Sequence, residues 1–323
     1  MDEKGRGEDA GESRQRRRYD PERISRSVEN LDRLIREHDW HWSRESREFL
    51  EQLTCQGASV IEPVRRSESD DMEQAQELVY QAWGATGQQR CALARAAIEI
   101  CRDCADAYTL LGDTTEDIAQ ACNYYRQGVE AGERVLGLDA FVRYRGSFWQ
   151  VDETRPYMRA KLSLADCLCG QGRYAEAARH FEELLHLNPN DDQGVRYWYS
   201  LCLFAMDDDE ALQHLLDRFS WDMTAPWTYA RALFLYRTRG PERARNALRQ
   251  ALASNRHVPD FLLEIEEIPA ELPDAGDLIV GIGSKEEAAA VAEALYEAWD
   301  ETPGALAWLR EMQREPGNQA AEA

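Results

Sequence analysis

Lysine is nearly missing from this chain: Lys4, Lys161 and Lys285 stand against 35 arginines. No stretch approaches the roughly 18 uninterrupted apolar residues that a membrane span needs, and the longest candidate, Ala288–Ala292, is cut by Glu293. The opening residues, Met1-Asp2-Glu3-Lys4-Gly5-Arg6, lack the apolar core of a secretory signal. A cytoplasmic protein with no membrane association is therefore expected. The motifs GxSxG and HExxH are absent, as are Cys–His pairs at useful spacing, so a non-enzymatic chain without a cofactor is the expectation. Eight cysteines in 323 residues, with no export signal, read as reduced thiols and not as a disulfide framework.

Charge is also one-sided. Sixty acidic residues against 38 basic ones leave a net charge of −22, which repels a polyphosphate and argues against nucleic acid as a partner. Hydrophobic residues at 43% and charged residues at 30% are a globular composition. Residues 1–22 carry seven acids, six bases and almost nothing apolar, and read as a disordered charged tail. A helix is expected over 23–56, because Val28, Leu31, Ile35, His38 and Trp42 recur at helical spacing. Arg65 to Asp70 is a polar connector.

From Asp71 onward helices are expected in pairs, and no segment shows the alternation of a strand. The clearest unit is 158–191. Leu164, Ala165, Gly172, Tyr174, Ala177, Phe181, Leu187 and Pro189 fall at the spacing of a tetratricopeptide repeat. In that pattern Leu164 and Phe181 fill the space between two helices, and Ala165 and Ala177 let them approach. Gly172 makes the turn, and Pro189 ends the second helix. A step of 34 residues puts Ala211 and Leu215 in register. A further step of about 33 gives Gly240, Ala244, Leu248 and Ala251. The predicted fold is an all-α solenoid of tetratricopeptide-like hairpins over 71–256. A C-terminal capping region covers 257–314 and a tail 315–323. Pro259, Pro269 and Pro273 break helices there, Leu278-Ile279-Val280 is a short apolar run, and Ser284 with Glu287 forms a capping box.

Further stretches resemble a family. Asp106-Ala107-Tyr108, Gly146-Ser147-Phe148-Trp149, Thr154-Arg155-Pro156-Tyr157-Met158-Arg159-Ala160, Leu187-Asn188-Pro189-Asn190-Asp191 and Thr302-Pro303-Gly304-Ala305-Leu306 are similar to bacterial tetratricopeptide-repeat proteins related to the suppressor of tumorigenicity family. The resemblance covers roughly 70–310. It implies a non-enzymatic repeat protein and supplies no catalytic residues.

Candidate binding residues cluster where the charge inverts. Phe141 to Ala160 holds Arg143, Arg145, Arg155 and Arg159 against Asp152 and Glu153, interleaved with Tyr144, Phe148, Trp149 and Tyr157. A planar guanidinium beside an aromatic ring suits carboxylate recognition. The first helix of each hairpin lines the concave groove in this architecture. Arg155, Arg159, Arg196 and Arg237 are thus expected as charge contacts and Tyr197 and Tyr229 as apolar walls, reading an acidic peptide or partner segment. The alternative is that Arg155 and Arg159 pair with acids between repeats and the aromatics are core. A second class of function would use Cys91, Cys101, Cys104 and Cys122 as metal ligands, in a metal-binding protein or hydrolase. Cys101-Arg102-Asp103-Cys104 is a lone CxxC, though, and zinc wants four ligands. His38 and His41 are one turn apart, but His38 lies on the apolar stripe. Gly281-Ile282-Gly283-Ser284 lacks the glycines of a phosphate loop, and Asp207 to Glu210 reads as a solvated turn. Leu306, Trp308 and Leu309 form a possible self-association face.

Overall fold

The computed structural model describes residues 70–269 and 281–315. The expected tail over 1–22, the helix over 23–56 with His38 and His41, the 278–280 run and nearly all of the final tail lie outside them. The described residues are all-α, with helices packed in successive pairs. They divide into two compact units at Asp207/Asp208.

The first unit contains α1 (Asp70–Trp83), α2 (Gly87–Ile100), α3 (Ala105–Asp113), α4 (Ile118–Arg143), α5 (Arg155–Gly170), α6 (Tyr174–Leu187) and α7 (Val195–Ala205). Two 3₁₀ turns, Phe148–Gln150 and Asp152–Thr154, lead into α5. Each helix packs on the next, and the odd-numbered helices also touch in succession: α1 on α3, α3 on α5, α5 on α7. That second set of contacts is what stacked hairpins require.

The α5–α6 hairpin shows how the repeat residues act. Phe181 and Ala165 are fully enclosed, as are Ala177 and Leu184. A side chain such as Phe181 contributes about 1.5–3 kcal/mol on burial. Gly172 adopts a left-handed φ of 71°. The Arg173 N–H donates to the Leu168 carbonyl at 2.9 Å and the Gly172 N–H to Cys169 at 2.9 Å, the paired bonds of a Schellman stop.

Close approach shapes α4. A Cβ on Gly132 would stand 2.8 Å from the Tyr157 Cβ and 3.1 Å from its Cα, so α4 meets α5 backbone against side-chain root. Further along, α4 breaks at Gly137 (φ 61°, ψ 171°) and resumes to Arg143. On α5, Lys161 is 3% exposed. Its ammonium pairs with Glu183 and lies 5.3 Å from the Tyr157 ring centroid.

The second unit contains α8 (Asp209–Arg218), α9 (Ala225–Arg239), α10 (Pro241–Ser254), α11 (Val258–Leu262), α12 (Lys285–Glu301) and α13 (Ala305–Gln313). Asp208 does not merely face solvent. Its side chain accepts from the Ala211 N–H at 3.0 Å and caps α8. Ala244, Leu248 and Ala251 are fully enclosed, so the repeat register carries into α10. Ser284 caps α12 by accepting from the Glu287 N–H at 3.1 Å, and Glu287 accepts in return from the Gly283 N–H at 2.7 Å. The buried Asn255 amide donates to that same carboxylate at 2.8 Å and to the Ser284 carbonyl at 2.9 Å. Trp308 and Leu309 are not a self-association face. They are buried with Trp299, and Trp308 stacks on Tyr236 at 4.7 Å.

Gly132→Ala is expected to lower stability by about 1–3 kcal/mol, the usual range for overpacking, despite alanine's advantage of about 1 kcal/mol in a helix. A fall in the urea midpoint at unchanged slope is the readout; an unchanged or higher midpoint would contradict the close approach.

Candidate protein-interaction surface

The residues expected to face a peptide are instead tied into their own units. Arg159 is 3% exposed and Asp106 1%. The Arg159 Nε donates to Asp106 Oδ1 at 2.8 Å and Nη2 to Oδ2 at 2.6 Å. The guanidinium also lies 5.3 Å from the Trp83 ring centroid, and Gln76 Nε2 donates to Asp106 Oδ2 at 3.3 Å. One arginine on α5 thus joins α1 and α3. The reason is electrostatic: a guanidinium taken out of water needs a carboxylate and filled hydrogen bonds, or its burial cost stands uncompensated.

Arg196 repeats the pattern locally. Asp191 accepts from the Val195 N–H at 2.6 Å and the Arg196 N–H at 3.1 Å, capping α7, and pairs with Arg196 Nη1 at 2.8 Å. The Arg196 guanidinium covers the Tyr197 ring at 4.5 Å and donates to its hydroxyl at 2.9 Å. Arg155 donates to the Trp149 carbonyl at 2.8 Å, lies 5.5 Å from that ring's centroid and pairs with Asp152 at 3.0 Å, pinning the 3₁₀ turns ahead of α5. In the second unit Arg237 Nε donates to Asp209 at 2.9 Å. Tyr229 is wholly buried. Its hydroxyl donates to the Asn255 carbonyl at 2.8 Å, and its ring faces Trp299. A side chain with no exposed area walls no groove, so Tyr229 is corrected to core. Arg159 and Arg196 are corrected to internal ion pairs.

The cysteines do not assemble into the alternative metal set. Among the described residues no three His, Cys, Asp or Glu converge on a common point. Cys167 instead lies 3.3 Å from the Ile118 carbonyl, and its thiol is raised by burial first and by the neighbouring Cys122 second.

What remains open is a ridge that spacing did not single out. After the break at Gly137, Leu138 is 86% exposed and Val142 74%, one helical turn apart, with Val135 at 37% just before it. Arg143 and Arg145 follow directly after Val142, both exposed. Arg143 leans toward the Tyr144 ring at 6.0 Å, and neither arginine makes an ion pair among the described residues. The available signal was a helix with more apolar residues than one face can bury: Leu136, Ala140 and Tyr144 are inside, which leaves Leu138 and Val142 without a core to enter. In the second unit Trp221 and Met223 are also exposed, at 66% and 53%.

Similarity to known proteins supports the repeat reading. The tetratricopeptide repeat family matches residues 159–191. The Suppressor of tumorigenicity 7 protein-like of Gallus gallus is 25% identical over 272 residues, 74% of this chain and 47% of the relative. The chain therefore spans about half the length of the curated relative it matches. It is a tetratricopeptide-repeat-containing chain that resembles that protein.

Two outcomes are expected. Asp106→Ala or Arg159→Ala alone loses about 3–5 kcal/mol, because each strands a buried charge, whereas Asp106→Leu with Arg159→Met regains most of it. Urea denaturation of the four chains checks this, and additive losses would contradict it. Among the described residues His180 Nδ1 has no hydrogen-bond partner, and the His180 pKa is lowered by burial first and by Lys161 second. A folded value below the unfolded one means stability is complete above the unfolded pKa, about 6.5, and declines as pH falls through the folded value. Proton NMR titration should show one imidazole with a midpoint below 6.5, missing in His180→Gln.

Proposed function

We propose that the chain is a non-enzymatic protein-interaction module that takes an acidic, apolar-faced partner segment on the ridge from Leu138 to Arg145. The tetratricopeptide repeat supports protein binding in general. The observation that carries the finer reading is the pair Arg143 and Arg145 beside Leu138 and Val142. Elsewhere Arg159 and Arg196 are neutralised by internal acids. Here two guanidiniums stand beside open apolar surface with no acid paired to them among the described residues. A partner helix carrying carboxylates next to a leucine or valine stripe would satisfy both, with the apolar contact supplying affinity and the charges register and encounter rate. This ridge replaces the concave groove as the proposed contact. A reducing cytoplasmic setting fits the seven described cysteines, all free thiols.

Affinity capture from lysate tests the reading, comparing the chain with Leu138→Asp/Val142→Asp and with Arg143→Glu/Arg145→Glu. All are exposed positions, so folding, followed by circular dichroism, is expected to be unaffected. A specific partner should fall at least tenfold in recovery with either double variant, and with salt raised to about 0.5 M, where screening shortens below the spacing of exposed charges. Equal recovery by all three chains would remove the ridge from the proposal.

A further inference from the structure

The CxxC that fails as a metal site has a geometry suited to different chemistry. Cys101 ends α2 and Cys104 begins α3 as its N-cap residue. The Cys104 N–H donates to the Cys101 carbonyl at 3.2 Å, so the four residues close a β-turn with a cysteine at each end. The ends of such a turn lie within about 7 Å between Cα atoms, and a disulfide spans about 4.4–6.8 Å. Both side chains face the same place. Cys104 belongs to the core cluster that includes Ala97, Ala107 and Leu110, and Cys101 packs against that cluster from its edge while keeping part of its surface open.

The Cys104 thiol is lightly held: it faces Gln76 Oε1 at 3.9 Å and lies beside the Ala107 N–H in the first turn of α3. Burial first, and the Asp106 carboxylate second, push the Cys104 thiol up to about 12. Cys104 therefore stays protonated, and the more open Cys101 is the group that meets a reagent.

We propose that Cys101 and Cys104 are a redox-active dithiol that exchanges with a small disulfide of the glutathione class to close a disulfide across the turn. The Cys101 thiolate attacks one sulfur of the small disulfide. That S–S bond breaks, one small thiolate leaves, and a mixed disulfide forms on Cys101. Cys104 then surrenders its proton and attacks the Cys101 sulfur, which expels the second small thiol. The protein dithiol is oxidised by two electrons and the small disulfide is reduced to two thiols. The second step is the slow one at neutral pH, because its attacking thiol is rarely ionised.

The turn is also close to the first unit's buried ion pair. Gln76 Oε1 faces Cys104 while its Nε2 donates to Asp106, the partner of Arg159.

The test uses the full chain with oxidised glutathione, acid quenching, alkylation and trypsin. Trypsin cuts after Arg102, separating 96–102, which holds Cys101, from 103–126, which holds Cys104 and Cys122. The two peptides should remain joined in at least half the chains, in the parent and in Cys122→Ser alike. In Cys104→Ser the join should vanish and 96–102 should carry a glutathione adduct. Fewer than about one chain in ten joined, a join that persists in Cys104→Ser, or one that disappears in Cys122→Ser would each overturn the proposal. Cys101→Ser, altered at the less buried position, gives a second variant and should abolish both join and adduct.

Discussion

A guanidinium enclosed among helices must find two carboxylate oxygens, and the first unit is arranged around that demand. Arg159 and Asp106 lie 53 positions apart and are joined by two short hydrogen bonds. Their union fixes α5 against α3, while Trp83 and Gln76 bring α1 to the same point. Apolar contacts such as those of Phe181 and Leu184 supply the bulk of the burial but are tolerant in direction. The ion pair is directional. It admits one register of α5 on α3, which is the use of a buried charge pair that can outlast its small net energy.

That arrangement explains why arginine suits these positions. Arginine presents a planar fork that matches both carboxylate oxygens and also lies over an aromatic ring, as over Trp83 and Tyr197. A lysine offers one point charge and would leave one side of Asp106 unfilled. Where α5 does use lysine, at Lys161, the partner carboxylate reaches in from the exposed Glu183 and the Tyr157 ring covers one flank. The acidic excess of the chain then has a structural sense: the buried arginines Arg159 and Arg196 each find an internal acid.

Much of the fold was legible in the sequence because its signals are local. Gly172 with a helix on either side, Ala165 and Ala177 at the crossing, Phe181 between the helices and Ser284 with Glu287 at a helix start all act within one hairpin or one turn. The roles of Arg159 and Tyr229 were not legible, because each depends on distant residues. Spacing placed Arg159 on the first helix of a repeat but said nothing of Asp106, one and a half repeats earlier. Tyr229 looks amphipathic until Asn255 and Trp299 close over it. Leu138 differs: its cause is local, the break at Gly137 that leaves it facing outward, and the apolar excess of α4 was its signal.

The scarcity of lysine has a consequence for covalent chemistry on amines. Of the two lysines among the described residues, Lys161 is 3% exposed and enclosed between Glu183 and Tyr157, while the Lys285 side chain is half open at the start of α12 and bridges to Glu266 at 2.6 Å. Acylating reagents, methyl transfer and isopeptide tagging all need a reachable ε-amine. Over residues 70–269 and 281–315 they meet a single address, so a label directed at amines there is in effect a site-specific mark on the N-terminal turn of one helix.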